Sequence, residues 1–519
     1  MKRILGLVVI IAALVLVSYY GMGLMTERTI KKDLQLINQS QGVHAELIEY
    51  KRGWFTSHAK FNWTLHIPER VVKNEDDQTT TTLPAQDYKL YMPLKVYHGP
   101  IIFADKAVHF GLGYGFTRLN LPQEYVQRFR ETFTADSTIP QLDISVLVNY
   151  INKSRLRIKL PKFTLIAKEE GSRFEWLGMK NDVTISSDLS SIEGDFAIKG
   201  IQFSKDKIKG IVGKITSEYD LSMSPEGLYV GDASLSFPSF LMKEGDKKLL
   251  EMNDYDIETN SDIDDGLLNA YFKMSLDRII TSDKTYGPGI LKIALKNLDA
   301  KVLAYINDQA NKMQQGSEEQ RQQAMMVLLP EIPKLLNKGA RLEVSEAKFT
   351  MPEGTVEGNL WIQLPKGEFG NPFQLIQKVE GEGKVQMPMV VLKQVMLTSE
   401  KQQLSQPSLQ QAMIDQLQKN QASGEQANNK EENTPNQNPA DTNVNTDNTA
   451  TQSSGSPQPQ MTPAEIEQKA QVQSDQKIAA LVENGLLMVS GENYVMQFKL
   501  ANGQLSVNGR PFNPATMHF

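Results

Sequence analysis

The sequence predicts an α+β fold, predominantly antiparallel β, with several packing helices and one N-terminal transmembrane helix. The sheet is expected to form one extended layer or an open sandwich. Three observations predict this: an uncharged apolar run at the N-terminus, many segments in which apolar and polar residues alternate, and a few in which the apolar period lengthens to that of a helix. A chain of 519 residues is long enough for two or three folded units. Its net charge of −6 is spread along the chain without a concentrated basic patch, so nucleic acid is not an expected partner. Cysteine is absent. That excludes thiolate metal sites and a Cys-linked lipid anchor, and it suits an oxidising compartment without requiring one.

Lys2 and Arg3 precede an uncharged run over residues 4–25. At ~1.5 Å rise per residue, a helix of this length spans about 33 Å, close to the apolar thickness of a bilayer. The run exceeds the ~7–15 apolar residues of a cleavable signal, and Tyr19, Tyr20 and Met22 crowd the place where small residues would mark cleavage. The tyrosines suit an interfacial belt. Residues 1–25 are therefore expected to be an uncleaved signal anchor. Lys and Arg lie on both sides of it and do not set its orientation, but the very short leading segment favours an inside N-terminus.

Residues 26–297 are expected to be the strand-rich region. Residues 27–38 read as a helical stalk leading away from the membrane. Ala59, Phe61, Trp63 and Leu65 then alternate with polar neighbours, as do Tyr88, Leu90, Met92 and Leu94, with Pro93 suggesting an edge strand. Residues 74–82 (NEDDQTTTT) read as a solvated loop. Asn120, Pro122, Tyr125, Val126 and Phe129 predict one short helix. Alternation resumes at Leu156, Ile158 and Leu160, at Ala233, Leu235 and Phe237, at Ala270, Phe272, Met274 and Leu276, and at Leu291, Ile293 and Leu295. Each such strand has one apolar face and one wet or partner-facing face.

Residues 298–419 read as helix, strands and helix, the first helix ending or kinking near Pro330 and Pro333. Residues 420–460 are nearly all Gln, Asn, Thr, Ser, Pro, Ala and Gly, and are expected to be a disordered insertion. Residues 461–519 are expected to be a helix plus hairpin. Thr462, Pro463 and Glu465 spell a capping box, Asn484 and Gly485 stop the helix, and Asn502–Gly503 signals a type I′ turn.

Three short motifs carry a resemblance: residues 50–57 (YKRGWFTS), residues 97–100 (YHGP), and the C-terminal series Gly485, Tyr494, Gly503, Asn508, Gly509, Arg510 and Pro511. In this order and placement they resemble the YdgA-like family of bacterial envelope proteins over nearly the whole chain. The Asn/Gln-rich insertion departs from that pattern. The resemblance implies inner-membrane attachment by a single pass with the body in the periplasm, and it implies no particular chemistry.

The motif residues Tyr50, Arg52, Gly53, Trp54, Phe55, His98, Gly99, Pro100, Asn508 and Gly509 read as structural. Gly53 permits a turn and the aromatics anchor the next strand in the core; the competing reading puts Arg52, Trp54 and Phe55 against a lipid headgroup and its acyl region. His98 has no second ligand at metal spacing, and His58 and His66 lie too far apart along one strand to share an ion. The acidic run from Asn260 to Gly266 lacks the glycine position and the closing glutamate of a calcium loop, and reads as a hairpin turn. Gly111, Gly113 and Gly115 mark close packing or a bend. No catalytic site, cofactor or metal is expected. The leading expectation is a noncatalytic, membrane-anchored protein binding a lipid-like ligand or envelope partner along a sheet face. The alternatives are an envelope scaffold or assembly factor, a homo-oligomer among its forms, and an envelope hydrolase whose residues converge only in space.

Overall fold

The computed structural model of the chain describes residues 2–38, 43–67, 70–73, 80–84, 86–120, 123–169, 171–314, 327–367, 377–405 and 462–512. Residues 420–460, the expected insertion and the basis of the scaffold alternative, lie outside the described residues. The chain divides into two compact units, one of Met1–Gln386 with Gln497–Phe512 and the other of Met387–Met496 with Asn513–Phe519.

The first unit opens with α1 (Lys2–Ile37), a single uninterrupted helix. Its side chains are described from Val15 onward, so the first half of the apolar run lies outside them. Among the described residues no helix is long and apolar enough to cross a membrane. The C-terminal half of α1 is not the projecting stalk that the sequence suggests. Gly23, Thr26, Thr29 and Leu34 recur at helical spacing and are buried against the sheet.

β1 (Val43–Arg52) and β2 (Thr56–Ile67) form a hairpin. β3 (Arg70–Lys73) pairs with β4 (Thr80–Leu83), so the end of the expected loop is strand, while residues 74–79 lie outside the described residues. β5 (Gln86–His98) returns beside β2. β6 (Ile101–Ala104) and β7 (Ala107–Phe110) make a separate hairpin, and β8 (Gly113–Asn120) pairs with β5. That second pairing covers only Lys95–His98 of β5, so Pro93 lies beyond it, where its missing N–H leaves no gap. α2 (Gln123–Thr132) leads to β9 (Gln141–Val148), which pairs with β8.

A meander of long strands follows. Its first passes are each divided by an irregular step: β10 (Ser154–Leu160) and β11 (Phe163–Ile166), β12 (Arg173–Trp176) and β13 (Met179–Ile185), β14 (Ser191–Ile198) and β15 (Ile201–Lys205), β16 (Ile208–Val212) and β17 (Ile215–Met223). At two of these steps Gly178 and Gly200 hold φ of +118° and +133°, which side chains other than glycine rarely tolerate. The later passes are β18 (Tyr229–Glu244), β19 (Lys247–Asp264), β20 (Leu267–Thr281) with the short β21 (Lys284–Tyr286), and β22 (Gly289–Asp299). After α3 (Ala300–Gln314) and α4 (Glu331–Leu336) come β23 (Arg341–Met351), β24 (Gly354–Gln363) and β25 (Glu380–Pro388). Every ladder in this series is antiparallel and joins passes adjacent in the chain. The acidic run at 260–266 is the β19–β20 hairpin, with Asp265 and Gly266 both at positive φ.

The register is pinned by aromatic rings lying on glycines. Tyr219 covers Gly194, Phe203 covers Gly210, Phe349 covers Gly289 and Phe498 covers Gly383, each so closely that an added Cβ would stand within 2.8 Å of the ring.

In the second unit α5 (Met389–Ser405) packs against α6 (Pro463–Glu483), with Leu397, Ala470, Ser474 and Ile478 buried and Lys477 reaching the buried Glu400 at 2.8 Å. The capping box at Thr462 and Glu465 is formed. β26 (Met488–Ser490) pairs with the start of β27 (Asn493–Ala501). From Gln497 the chain belongs to the first unit again, and there β27 continues through Asn502–Gly503 into β28 (Gln504–Val507) and through Asn508–Gly509 into β29 (Arg510–Phe512). Both residues of each turn have positive φ, as a type I′ turn requires.

Candidate lipid-facing sheet and the helix seat at its edge

Side chains of paired residues in a sheet share a face, so register converts directly into surface chemistry. One transverse row runs Val96, Gly115, Val146, Leu156, Val183, Gly194, Tyr219, Ala233, Thr259, Phe272, Ile293, Val344, Leu360 and Gly383. A neighbouring row on the same face includes Ile158, Phe196, Leu235, Ile257, Met274 and Leu291. The interleaved row on the opposite face runs Arg157, Asp182, Asp195, Glu218, Ser234, Glu258, Lys273, Lys292 and Glu346. From β10 to β23 this part of the sheet is thus mainly apolar on one side and mainly charged on the other.

The apolar side is not sealed. Between Val148 and Ala294 the described residues include no fully buried hydrophobic; Leu156, Val183, Leu235, Ile257, Phe272 and Met274 are all half-buried. The main helix contacts to the sheet are those of α1 with β1, β5 and β8, and of α3 and α4 with β22. On the charged side Asp182 is buried, and Arg155, Arg157 and Lys180 converge on it. Burial pushes its carboxyl up, but hydrogen bonds from Lys180 and Arg157 outweigh that and hold it below the usual range.

At the N-terminal edge the same face is covered by α1. Leu34 joins Ala45, Ala59, Phe61, Met92, Leu94 and Val96 in one buried core cluster. Higher up the seat, Gly113 lies under Thr26, with room for no side chain: an added Cβ would stand 2.5 Å from the threonine methyl. Gly23 likewise lies against the His98 ring. Thr29 is bonded to Asn152 at 2.9 Å.

Two of the motif groups meet at this seat, although their sequence separation hid it. Ser57 Oγ and His98 Nε2 are 2.6 Å apart and both residues are buried, while His98 Nδ1 has no partner. The pair is buried, and Gly23 of α1 lies against the His98 ring. Burial pushes the Tyr50 phenol beside it up. Arg52 donates to Glu27 and to the Tyr20 hydroxyl, both at 3.0 Å, tying β1 to α1. Gly53 forms the tight β1–β2 turn, and Gly99 and Pro100 turn the chain from β5 into β6. Trp54 and Phe55, expected in the core, are more than half exposed because they occupy the tip of the turn beyond the last strand pair; Trp54 packs on Tyr20 and Phe55 on Tyr19, with ring centroids 5.2 and 5.1 Å apart. Asn508 and Gly509 stand apart from the seat, in the last hairpin, where the Asn508 side chain accepts from Gln497 N at 2.8 Å.

His98 makes the seat sensitive to acid. Burial, aided by the Arg52 charge, lowers its pKa from 6.5 to about 4. The unfolded chain therefore takes up this proton at higher pH than the folded one. The stability is complete above about pH 6.5 and is lost as pH falls toward 4. A loss of roughly 1–2 kcal/mol is expected, after discounting for solvent near the seat. Melting curves at neutral pH and at pH 5 should show this acid loss in the parent and a reduced loss in His98→Gln.

Among the described residues no group of His, Asp or Glu is placed to hold a metal ion. No curated protein and no solved structure matches this chain. The narrower likeness to YdgA-like proteins rests on the three motifs. A family model described as "Bacterial protein of unknown function (DUF945)" matches residues 1–515. Since that match takes in the seat, the sheet and the closing hairpins alike, the chain belongs to the DUF945 family of bacterial proteins of unknown function.

Proposed function

We propose that the protein is a noncatalytic envelope protein, anchored in the bacterial inner membrane with its body in the periplasm, that binds a lipid-like ligand along the apolar face of its sheet. The observation that carries this reading is the apolar row from Leu156 to Ile293, whose Leu156, Val183, Phe272 and Ile293 are only half-buried among the described residues. A methylene group fully removed from water gains about 0.8 kcal/mol, and one lying on an open face gains a fraction of that in proportion to the area it covers, so an acyl chain crossing several strands gains from each strand it covers. The anchor is supported by the uncharged run over residues 4–25, which forms the N-terminal part of α1 and reaches the seat only at its end, around Gly23.

The test is photocrosslinking in intact envelopes, with benzoylphenylalanine placed at Leu235 or Phe272 on the apolar face and at Ser234 or Lys273 on the charged face. Phospholipid adducts at the first two positions and none at the others are expected. Adducts at neither pair, or to protein alone, would sink the lipid reading.

A further inference from the structure

We propose that the tips around α1 form an apolar collar that lies in the interfacial layer of the bilayer, so that the body rests on the membrane surface. This inference builds on the anchor reading above. Its centre is the β6–β7 hairpin. Ile102 and Ala104 point inward to Tyr114, which would ordinarily leave a polar outer face. Instead Ile101, Phe103, Val108 and Phe110 all point outward; they pair across the hairpin as Ile101 with Phe110 and Phe103 with Val108. Phe103 is 74% exposed and Phe110 60%. Ile151, in the β9–β10 turn, is 71% exposed, and Trp54 and Phe55 add two half-exposed rings. Together these side chains expose on the order of 500 Å² of apolar surface, as much as the largest patch on an ordinary soluble protein.

Three contacts tie these tips to one level of α1, and a fourth links two of the tips to each other. Tyr19 donates to Ile101 O at 2.7 Å, Tyr150 donates to Pro100 O at 2.5 Å, and Phe55 and Trp54 meet Tyr19 and Tyr20. Just before that level α1 exposes Val15, Leu16 and Val17; just after it comes Glu27, the first charge since Arg3, paired with Arg52. Along the helix the order is therefore aliphatic, aromatic, then charged. That order matches the passage from hydrocarbon through the interfacial belt to water, and it specifies a lipid surface as the occupant of the collar.

The absence of cysteine permits single labels on the full-length chain. Leu16→Cys, Phe103→Cys, Ile151→Cys and the distant, exposed Ile208→Cys would each carry an environment-sensitive fluorophore. The chains would be placed in bilayer discs of phosphatidylethanolamine and phosphatidylglycerol, with and without a phospholipid bearing a nitroxide high on its acyl chain. More than twofold quenching at positions 16, 103 and 151, and none at 208, is the expected result. Quenching at 16 without quenching at 103 and 151 would overturn the collar and leave the anchor standing. Loss of quenching at 16 as well would remove the anchor reading and the collar with it. A blue-shifted but unquenched signal at 103 would assign the patch to a second copy of the chain, which also overturns the proposal.

Discussion

Gly113→Val is expected to lift α1 off the sheet. The valine Cβ would stand 2.5 Å from the Thr26 methyl and hydroxyl, and Thr26 cannot turn away because it is buried and its hydroxyl is bonded to Met22 O at 2.8 Å. Overpacking of this kind costs about 1–3 kcal/mol. Displacing the helix would also expose Leu34 and the core beneath it, adding roughly 2 kcal/mol for that leucine alone. Arg28, Lys31 and Lys32 lie on α1 within the seated stretch, between Thr26 and Leu34, so trypsin reports the change. The parent should resist cleavage there, Gly113→Val should be cut rapidly, and Gly113→Ala should be partly restored by Thr26→Ala. Equal cleavage of parent and Gly113→Val would mean that α1 does not occupy this seat.

The second large effect concerns the apolar face. Ile293 pairs with Phe272 in the middle of the transverse row, and Lys292, one residue away, belongs to the charged face and pairs with Glu346. Ile293→Asp puts a carboxylate where an acyl chain would lie, and desolvating an unpaired charge costs several kcal/mol. Lipid adducts from a photocrosslinker at Phe272 should fall at least tenfold, equivalent to about 1.4 kcal/mol of binding. Lys292→Glu should leave them nearly unchanged. A matching loss in both variants would trace to general destabilisation, and no loss in either would remove the lipid from this face.

Much of the sheet was legible because its strands are wet on one side. Ala270, Phe272, Met274 and Leu276 alternate for a physical reason: the opposite positions carry charges that meet partners on neighbouring strands, such as Lys273 with Glu258. The turn at Asn502–Gly503 was equally readable, since few residue pairs accept two positive φ values, whereas Asn508–Gly509, which has the same geometry, stood only as part of a motif. The β6–β7 hairpin gave no such signal. Ile101, Ile102 and Phe103 are consecutive apolar residues because both faces of that hairpin are apolar, and the period of two vanishes. The seat was hidden for another reason. Ser57 and His98 come together through strand pairing across 41 positions, and Thr26 meets Gly113 across more, so neither contact leaves a local pattern. Residues 27–38 show how polar spacing misleads. Glu27, Arg28, Lys31 and Lys32 suggested a free stalk, but the three-residue spacing of Gly23, Thr26 and Thr29 marks the face that packs.

The pairing of each pass from β10 to β24 with its neighbours in the chain bears on how the molecule forms. Up to β24 no strand of the meander waits for a partner made much later, whereas β25 also pairs with the distant β27. Loop-closure entropy at each earlier step is therefore that of a short hairpin. A chain released from its N-terminal end can lay down α1 and β1–β5 as a nucleus and then grow by adding one strand at a time to a finished edge. Growth of this kind is nearest-neighbour in its energetics, as in a repeat array. A lesion late in the meander should therefore leave the earlier strands folded, and protease-resistant fragments should lengthen in steps that match the hairpins.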